Sequence, residues 1–205
     1  MDEVSLAPKK LLNVGCGPQG RHHGFTGFDG WQEVRLDIDV SVEPDVVGTM
    51  TDMSAVPSDS VDAIVSSHNI EHLYPHEVPL ALAEFVRVLK TDGLVLITCP
   101  DLQSVCAHVA RGDLASPLYE SAAGPITALD ILYGHRDAMA SGNLYMAHRC
   151  GFTLEVLANT LQACGFARAV GVARPERFDL WMLASKTVRS DEAMRALALK
   201  HLPAR

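Results

Sequence analysis

Short apolar runs punctuate the chain at residues 11–14, 34–38, 46–47, 61–66 and 94–99. Each is rich in Val, Leu and Ile and mostly continuous rather than alternating. Strands buried on both faces read this way, so the runs predict a parallel sheet covered by helices. Between the fourth and fifth runs, Leu82, Phe85, Val86 and Leu89 fall at i, i+3, i+4 and i+7. That stripe predicts a helix from about Pro79 to Lys90, with Pro79 suited to its first turn and Asp92-Gly93 ending it.

Residues 101–151 break the rhythm. They mix helical patches, Gly124-Pro125 and a polar stretch with His, Arg and Tyr, and they read as an insertion. After it, Thr153 is a good N-cap, Leu154, Leu157, Ala158 and Leu161 form a stripe, and Gly165 suits the far end. Two more strands are predicted at 168–173 and 180–185, joined by a connection short enough for an antiparallel hairpin. A last helix runs from Asp191 to about Leu202 with Ser190 as its cap. It docks either on its own domain or on a second subunit, as in a homodimer. No linker interrupts the chain, so residues 1–205 read as one domain with an insertion at about 101–151.

The turn after the first run is Gly15-Cys16-Gly17, and Asp37 ends the second run twenty residues later. Glycines let backbone N–H groups approach a ligand, and a carboxylate on the next strand can accept from both hydroxyls of a ribose. A cofactor containing a nucleoside is implied. Gly15 to Gly20 also matches G-x-G-x-x-G, which makes a nicotinamide dinucleotide the runner-up and an NAD(P)-dependent oxidoreductase the alternative. A dinucleotide's pyrophosphate needs a helix starting inside the motif. Pro18, Gly20, Gly24, Gly27 and Gly30 make the following segment poor for a helix, since each interior Gly costs roughly 1 kcal/mol against Ala. S-adenosylmethionine has no pyrophosphate and fits such a loop better. A binding protein that holds this cofactor without methyl transfer is a further alternative.

Composition narrows the partners. The 205 residues carry a formal charge of −8, which opposes a broad nucleic-acid or anionic-membrane surface. No apolar run approaches the ~20 residues of a membrane span, and no signal-like segment follows Met1. Five cysteines, odd in number and without a CxxC pair, fit reduced thiols in the cytoplasm.

Several phrases taken together resemble the class I S-adenosylmethionine-dependent methyltransferases, in particular small bacterial members of the type 11-like group. They are Leu12-Asn13-Val14-Gly15-Cys16-Gly17, Leu36-Asp37-Ile38-Asp39, Ser60-Val61-Asp62-Ala63-Ile64, Ser67-His68-Asn69-Ile70-Glu71-His72-Leu73, and Phe85 through Gly93. His148-Arg149-Cys150-Gly151-Phe152-Thr153 adds a later match. The resemblance implies a Rossmann-like α/β fold. Its sheet has seven strands, mostly parallel, with a C-terminal antiparallel hairpin and helices on both faces. It implies a small-molecule acceptor methylated on O or N. Asn13, Val14, Gly15, Cys16 and Gly17 would meet the methionine half of the cofactor, with Asn13 standing where such proteins usually carry an acid. Asp37 would bind the ribose, Ile38 the adenine face, and Thr51, Asp52 and Met53 the adenine edge. Ser67 and His68 would face the reacting methyl.

His68, Glu71 and His72 contain the ligand types of several metal sites. A loop-orienting role for Glu71 and His72 is the plainer account, and no metal is assigned. His68, at a strand end, and His148, before the helix that follows the insertion, are the catalytic candidates. Tyr119, Tyr133, His135, Arg136, Tyr145 and Arg149 are candidates to close over a substrate, or to serve as a surface lid.

Overall fold

The computed structural model describes residues 7–19, 24–121 and 123–204. Seven strands form one sheet: β1 (Lys10–Val14), β2 (Gln32–Asp37), β3 (Val46–Val47), β4 (Val61–Ser67), β5 (Leu89–Pro100), β8 (Arg168–Arg174) and β9 (Asp179–Ser185). Their order is β3-β2-β1-β4-β5-β9-β8. The first five are parallel, and β9 runs antiparallel to both β5 and β8. The predicted seven strands and closing hairpin are therefore observed.

Register decides where the site lies. Val14 pairs with Leu36 on one side and with Ser66 on the other. The residues just beyond, Gly15, Asp37 and Ser67, consequently leave the sheet at one edge. Open α/β sheets bind ligands at such carboxyl ends.

Alternate side chains of each strand enter two cores, because successive residues point to opposite faces. On one face Leu12, Val14, Ile64, Val95 and Ile97 pack with helix α1 (Val78–Val88) and helix α5 (Leu154–Ala163). Phe85 and Leu82 of α1 and Leu157 and Leu161 of α5 are completely or almost completely buried. Each such side chain contributes roughly 1.5–3 kcal/mol. The Thr153 hydroxyl accepts from the Val156 N–H, as the predicted cap requires. On the opposite face Leu11, Ala63, Val65 and Leu96 meet Met194 of helix α6 (Asp191–His201) and Phe25, Phe28 and Trp31 of a loop. The closing helix thus docks on its own sheet. The described residues between Gly17 and Trp31 contain no helix, so aromatic side chains from that loop do the covering.

Helix α1 ends at Val88, two residues before the expected Lys90, because strand pairing captures the chain at once: Leu89 already pairs with Val61. The insertion contains helix α2 (Leu102–Val109), a hairpin of β6 (Pro117–Ser121) and β7 (Gly124–Thr127), helix α3 (Ala128–Tyr133) and helix α4 (Arg136–Ala140). The hairpin is an addition to the sequence expectation. These elements enclose a small core of their own, built on Val105, Ala128 and Ile131.

Candidate active site

One cleft of about 690 Å³ runs from the strand edge under the insertion. Its first end is built by the glycine turn. Gly15 and Gly17 both adopt positive φ, and the Gly15 and Cys16 N–H groups donate to the Leu36 carbonyl at 2.8 and 3.2 Å. A Cβ on Gly15 would overlap the amide of Asn69. That amide donates to the Val14 carbonyl at 2.9 Å and to the Ser67 carbonyl at 3.0 Å, tying the turn to the loop after β4. Asn69 has no assigned role in the sequence reading; nothing local marks it, because its partner Val14 is 55 residues away.

Asp37 is held from both sides. Gly17 N–H donates to its Oδ2 at 2.8 Å and Asp39 N–H to its Oδ1 at 2.9 Å. Each carboxylate oxygen still has accepting capacity for a ligand hydroxyl. Asp39 has other work: its side chain accepts from the Ser41 N–H and caps the short 3₁₀ helix Val40–Val42. Ile38 is 42% exposed and lines the cleft beside Val42, Thr49, Met50 and Thr51.

Not every expected residue faces this space. Val14, Gly15, Gly17, Asp37, Ile38, Thr51, Ser67 and His68 line it. Asn13 points to the other face of the sheet, where its amide donates to Glu33 at 2.7 Å, because strand alternation sends it opposite to Val14. Cys16 lines that same second cavity, of about 420 Å³. Asp52 turns back on its own loop to accept from Ser54 N–H at 3.1 Å, and Met53 is buried in the core. Of this loop, Gly48, Thr49, Met50 and Thr51 line the cleft.

The second end is made by two segments far apart in sequence. The 3₁₀ helix Ile70–His72 follows β4, and the chain leaving the insertion docks against it. Arg149 and Cys150 N–H groups donate to the Glu71 carbonyl at 2.8 and 3.2 Å, and the Arg149 guanidinium donates to the His72 carbonyl at 3.0 Å. His148 is thereby set beside His72, with ring centroids 4.9 Å apart. His72 Nδ1 lies 3.1 Å from the Ala147 carbonyl, and His148 Nδ1 lies 2.8 Å from the Ile131 carbonyl. A carbonyl only accepts, so both Nδ1 atoms donate, and in the neutral ring Nε2 is then the acceptor.

Glu71 is 1% exposed, and neither of its carboxylate oxygens has a partner in hydrogen-bond geometry. His68 Nδ1 lies 3.3 Å from Oε1, within ion-pair range. Burial pushes the Glu71 carboxyl up, but the neighbouring imidazoles of His68, His72 and His148 outweigh it and hold it below its ordinary value. Burial pushes His148 down against the pull of Glu71, which favours the neutral ring. Cys150 beside them is pushed up to about 12 by burial and by the Glu71 charge, so it stays a thiol. His68 itself adopts a left-handed backbone, φ 53°, uncommon for a residue with a side chain and found preferentially at functional turns.

The insertion supplies the roof. Ile126, Ile131, His135, Tyr145, Met146, His148 and Arg149 line the cleft from above, as does Phe178 from the hairpin between β8 and β9. Tyr119 and Tyr133 do not line it, and Arg136 is taken up by Asp130 at 2.7 Å. No helix among the described residues is long and apolar enough to cross a membrane.

Residues 12–97 match the family model of a methyltransferase domain. No curated protein matches the chain. Among solved structures, the 1,6-didemethyltoxoflavin-N1-methyltransferase of Burkholderia thailandensis is similar at 18% identity and a TM-score of 0.55. That match covers 88% of this chain and 72% of the other, which was solved with 1,6-didemethyltoxoflavin and S-adenosylhomocysteine bound. A SAM-dependent methyltransferase of Archaeoglobus fulgidus is similar at 15% identity and a TM-score of 0.55, covering 88% of this chain and 87% of that one.

Proposed function

As a class I S-adenosylmethionine-dependent methyltransferase of the type 11 group, with S-adenosylmethionine as its cofactor, the chain, we propose, methylates oxygen or nitrogen of a small-molecule acceptor. The observation that carries this reading is the single cleft. It joins the Gly15–Asp37 end to the His68–His148 end, so a cofactor and an acceptor fit head to head. Asp37 binds the ribose hydroxyls, Ile38 and Thr49–Thr51 hold the adenine, and the Gly15–Gly17 turn meets the methionine half. The Burkholderia protein, whose name assigns it methylation at a nitrogen of a small molecule, supports the acceptor class.

Methyl transfer is an in-line attack on an activated sulfonium, and alignment alone supplies much of the acceleration. His148, neutral and with Nε2 as an acceptor, receives a hydrogen bond from an acceptor hydroxyl or amine and aims its lone pair. His68, at the strand end, lies toward the methyl. A reducing, cytoplasmic setting fits the odd number of cysteines.

Calorimetry with S-adenosylhomocysteine and with NADH tests the cofactor. Binding of the first and none of comparable strength for the second is expected; tighter NADH binding overturns the reading. Incubation with S-adenosylmethionine and a panel of phenols, hydroxy acids and heterocyclic amines is expected to add one methyl mass to a member.

A further inference from the structure

The sequence gathers His68, Glu71 and His72 by spacing, but the fold makes a different set. Ligand atoms of Glu71, His72 and His148 all lie within 4.8 Å of one another, although His148 is 76 residues beyond His72. Three features of this set are unusual together. Glu71 is a carboxylate only 1% exposed, with no partner in full hydrogen-bond geometry on either oxygen and the His68 imidazole, 3.3 Å from Oε1, in ion-pair range. Both imidazoles are oriented by an Nδ1–H bond to a backbone carbonyl, His72 to Ala147 and His148 to Ile131. All three residues border the cleft.

The chemistry of this arrangement is one-sided. The carboxylate accepts only, and with Nδ1 committed each ring, when neutral, keeps its lone pair at Nε2. Acceptors gathered in a buried place repel one another unless a cation sits among them, and an uncompensated buried carboxylate costs several kcal/mol. His68 at 3.3 Å meets one edge of that carboxylate and leaves Oε2 unanswered. Imidazoles locked by a carbonyl on their far nitrogen are the usual support of metal-bound histidine.

We propose that Glu71, His72 and His148 form a three-ligand site for one divalent transition-metal ion at the acceptor end of the cleft. Two imidazoles and one carboxylate suit Zn²⁺, Fe²⁺, Mn²⁺, Co²⁺ or Ni²⁺, and do not suit Mg²⁺ or Ca²⁺, which favour oxygen ligands. Three protein ligands leave at least one position open toward the cleft. The role of the ion rests on the methyl-transfer reading, though its binding does not. It favours a hydroxyl acceptor. An amine bound to a metal has spent its lone pair, whereas a deprotonated oxygen keeps another for attack. The metal lowers the hydroxyl's pKa, and the proton passes to water. The new C–O bond then forms as the C–S bond breaks, its electron pair returning to sulfur to give S-adenosylhomocysteine. With the ion bound, His148 Nε2 is a ligand and no longer accepts from the substrate directly; the ion takes over that contact and places the acceptor.

The test uses the full chain without a histidine tag, stripped with EDTA and titrated with Zn²⁺ by calorimetry and with Co²⁺ by visible absorption. One ion per chain is expected, with Co²⁺ bands of a nitrogen and oxygen site. Glu71→Gln and His148→Ala are each expected to weaken binding on the order of 100-fold or more. His76→Ala, an exposed imidazole outside the set, should leave it unchanged. Retained S-adenosylhomocysteine binding certifies that each variant is folded. Acetohydroxamate, an oxygen-donor probe, is expected to shift the Co²⁺ bands, and bands indifferent to it overturn the acceptor role. A chain that binds S-adenosylhomocysteine yet takes up no ion, or takes it up equally well as His148→Ala, overturns the site while leaving methyl transfer intact. A chain that binds the ion but no S-adenosylhomocysteine overturns methyl transfer and leaves the site.

Discussion

The two ends of the cleft are built by different means. At the cofactor end, a turn and a strand tip twenty residues apart are locked by short-range geometry: Gly17 N–H on Asp37, and Gly15 and Cys16 N–H on Leu36. At the acceptor end, Glu71 and His72 wait for a segment beyond a separately packed insertion. The backbone of Arg149 and Cys150 donates to the Glu71 carbonyl, which ties the end of the insertion to the 3₁₀ helix after β4. The first end is a property of the sheet edge. The second is a property of the insertion.

That division makes separable predictions. The largest effect belongs to the acceptor end. His148→Ala is expected to lower kcat by about 10²–10⁴, the range for loss of a group that acts on the acceptor proton or its oxygen. The dissociation constant for S-adenosylhomocysteine should barely move, because His148 belongs to the other end. A large loss of cofactor affinity in this variant would break the comparison.

Next comes Asp37→Ala: on the proposed binding mode it removes two charge-assisted hydrogen bonds to the ribose and should cost on the order of 2–4 kcal/mol of cofactor affinity by calorimetry. Asp39→Ala should cost far less, since its carboxylate caps residues 40–42. Equal losses would mean that the ribose acceptor is the wrong aspartate.

Asn69→Ala joins the two ends. It loses the hydrogen bonds to Val14 and Ser67, and a stability loss of about 1–3 kcal/mol in denaturant is expected. Cofactor affinity and turnover should fall together, unlike in the first two variants.

The smallest effect concerns the insertion alone. Thr127 and Asp130 form a capping box at the start of α3, and Asp130 also accepts from Arg136. Burial pushes the Asp130 carboxyl up, but the bonds from Arg136 and Thr127 outweigh it and hold the group far below the usual carboxylate range. A depressed folded value means that its contribution is fully present above the unfolded value of ~3.9. It is lost only as pH falls through the folded value. Asp130→Asn is expected to cost about 1–2 kcal/mol at pH 7, read as faster hydrogen exchange across residues 127–140. Cofactor affinity should be indifferent to it.

The sequence by itself determined the seven strands of the sheet with their closing hairpin, both later helices with their Thr153 and Ser190 caps, and the glycine turn facing Asp37. These depend on period and on spacing along one stretch of chain, and such patterns are local. It also determined that the first crossover lacks a helix-forming composition. Tertiary structure alone decided the rest. Strand alternation turned Asn13 away from the cleft, and a loop closing on itself withdrew Asp52. The Ile126 and Ile131 walls arose from a hairpin and helix with their own core. Above all, the fold brought His148 to Glu71 and His72, while His68 stays beside Glu71. No periodicity encodes that meeting, because it is fixed by backbone hydrogen bonds between segments more than seventy residues apart, which exist only once the insertion has packed.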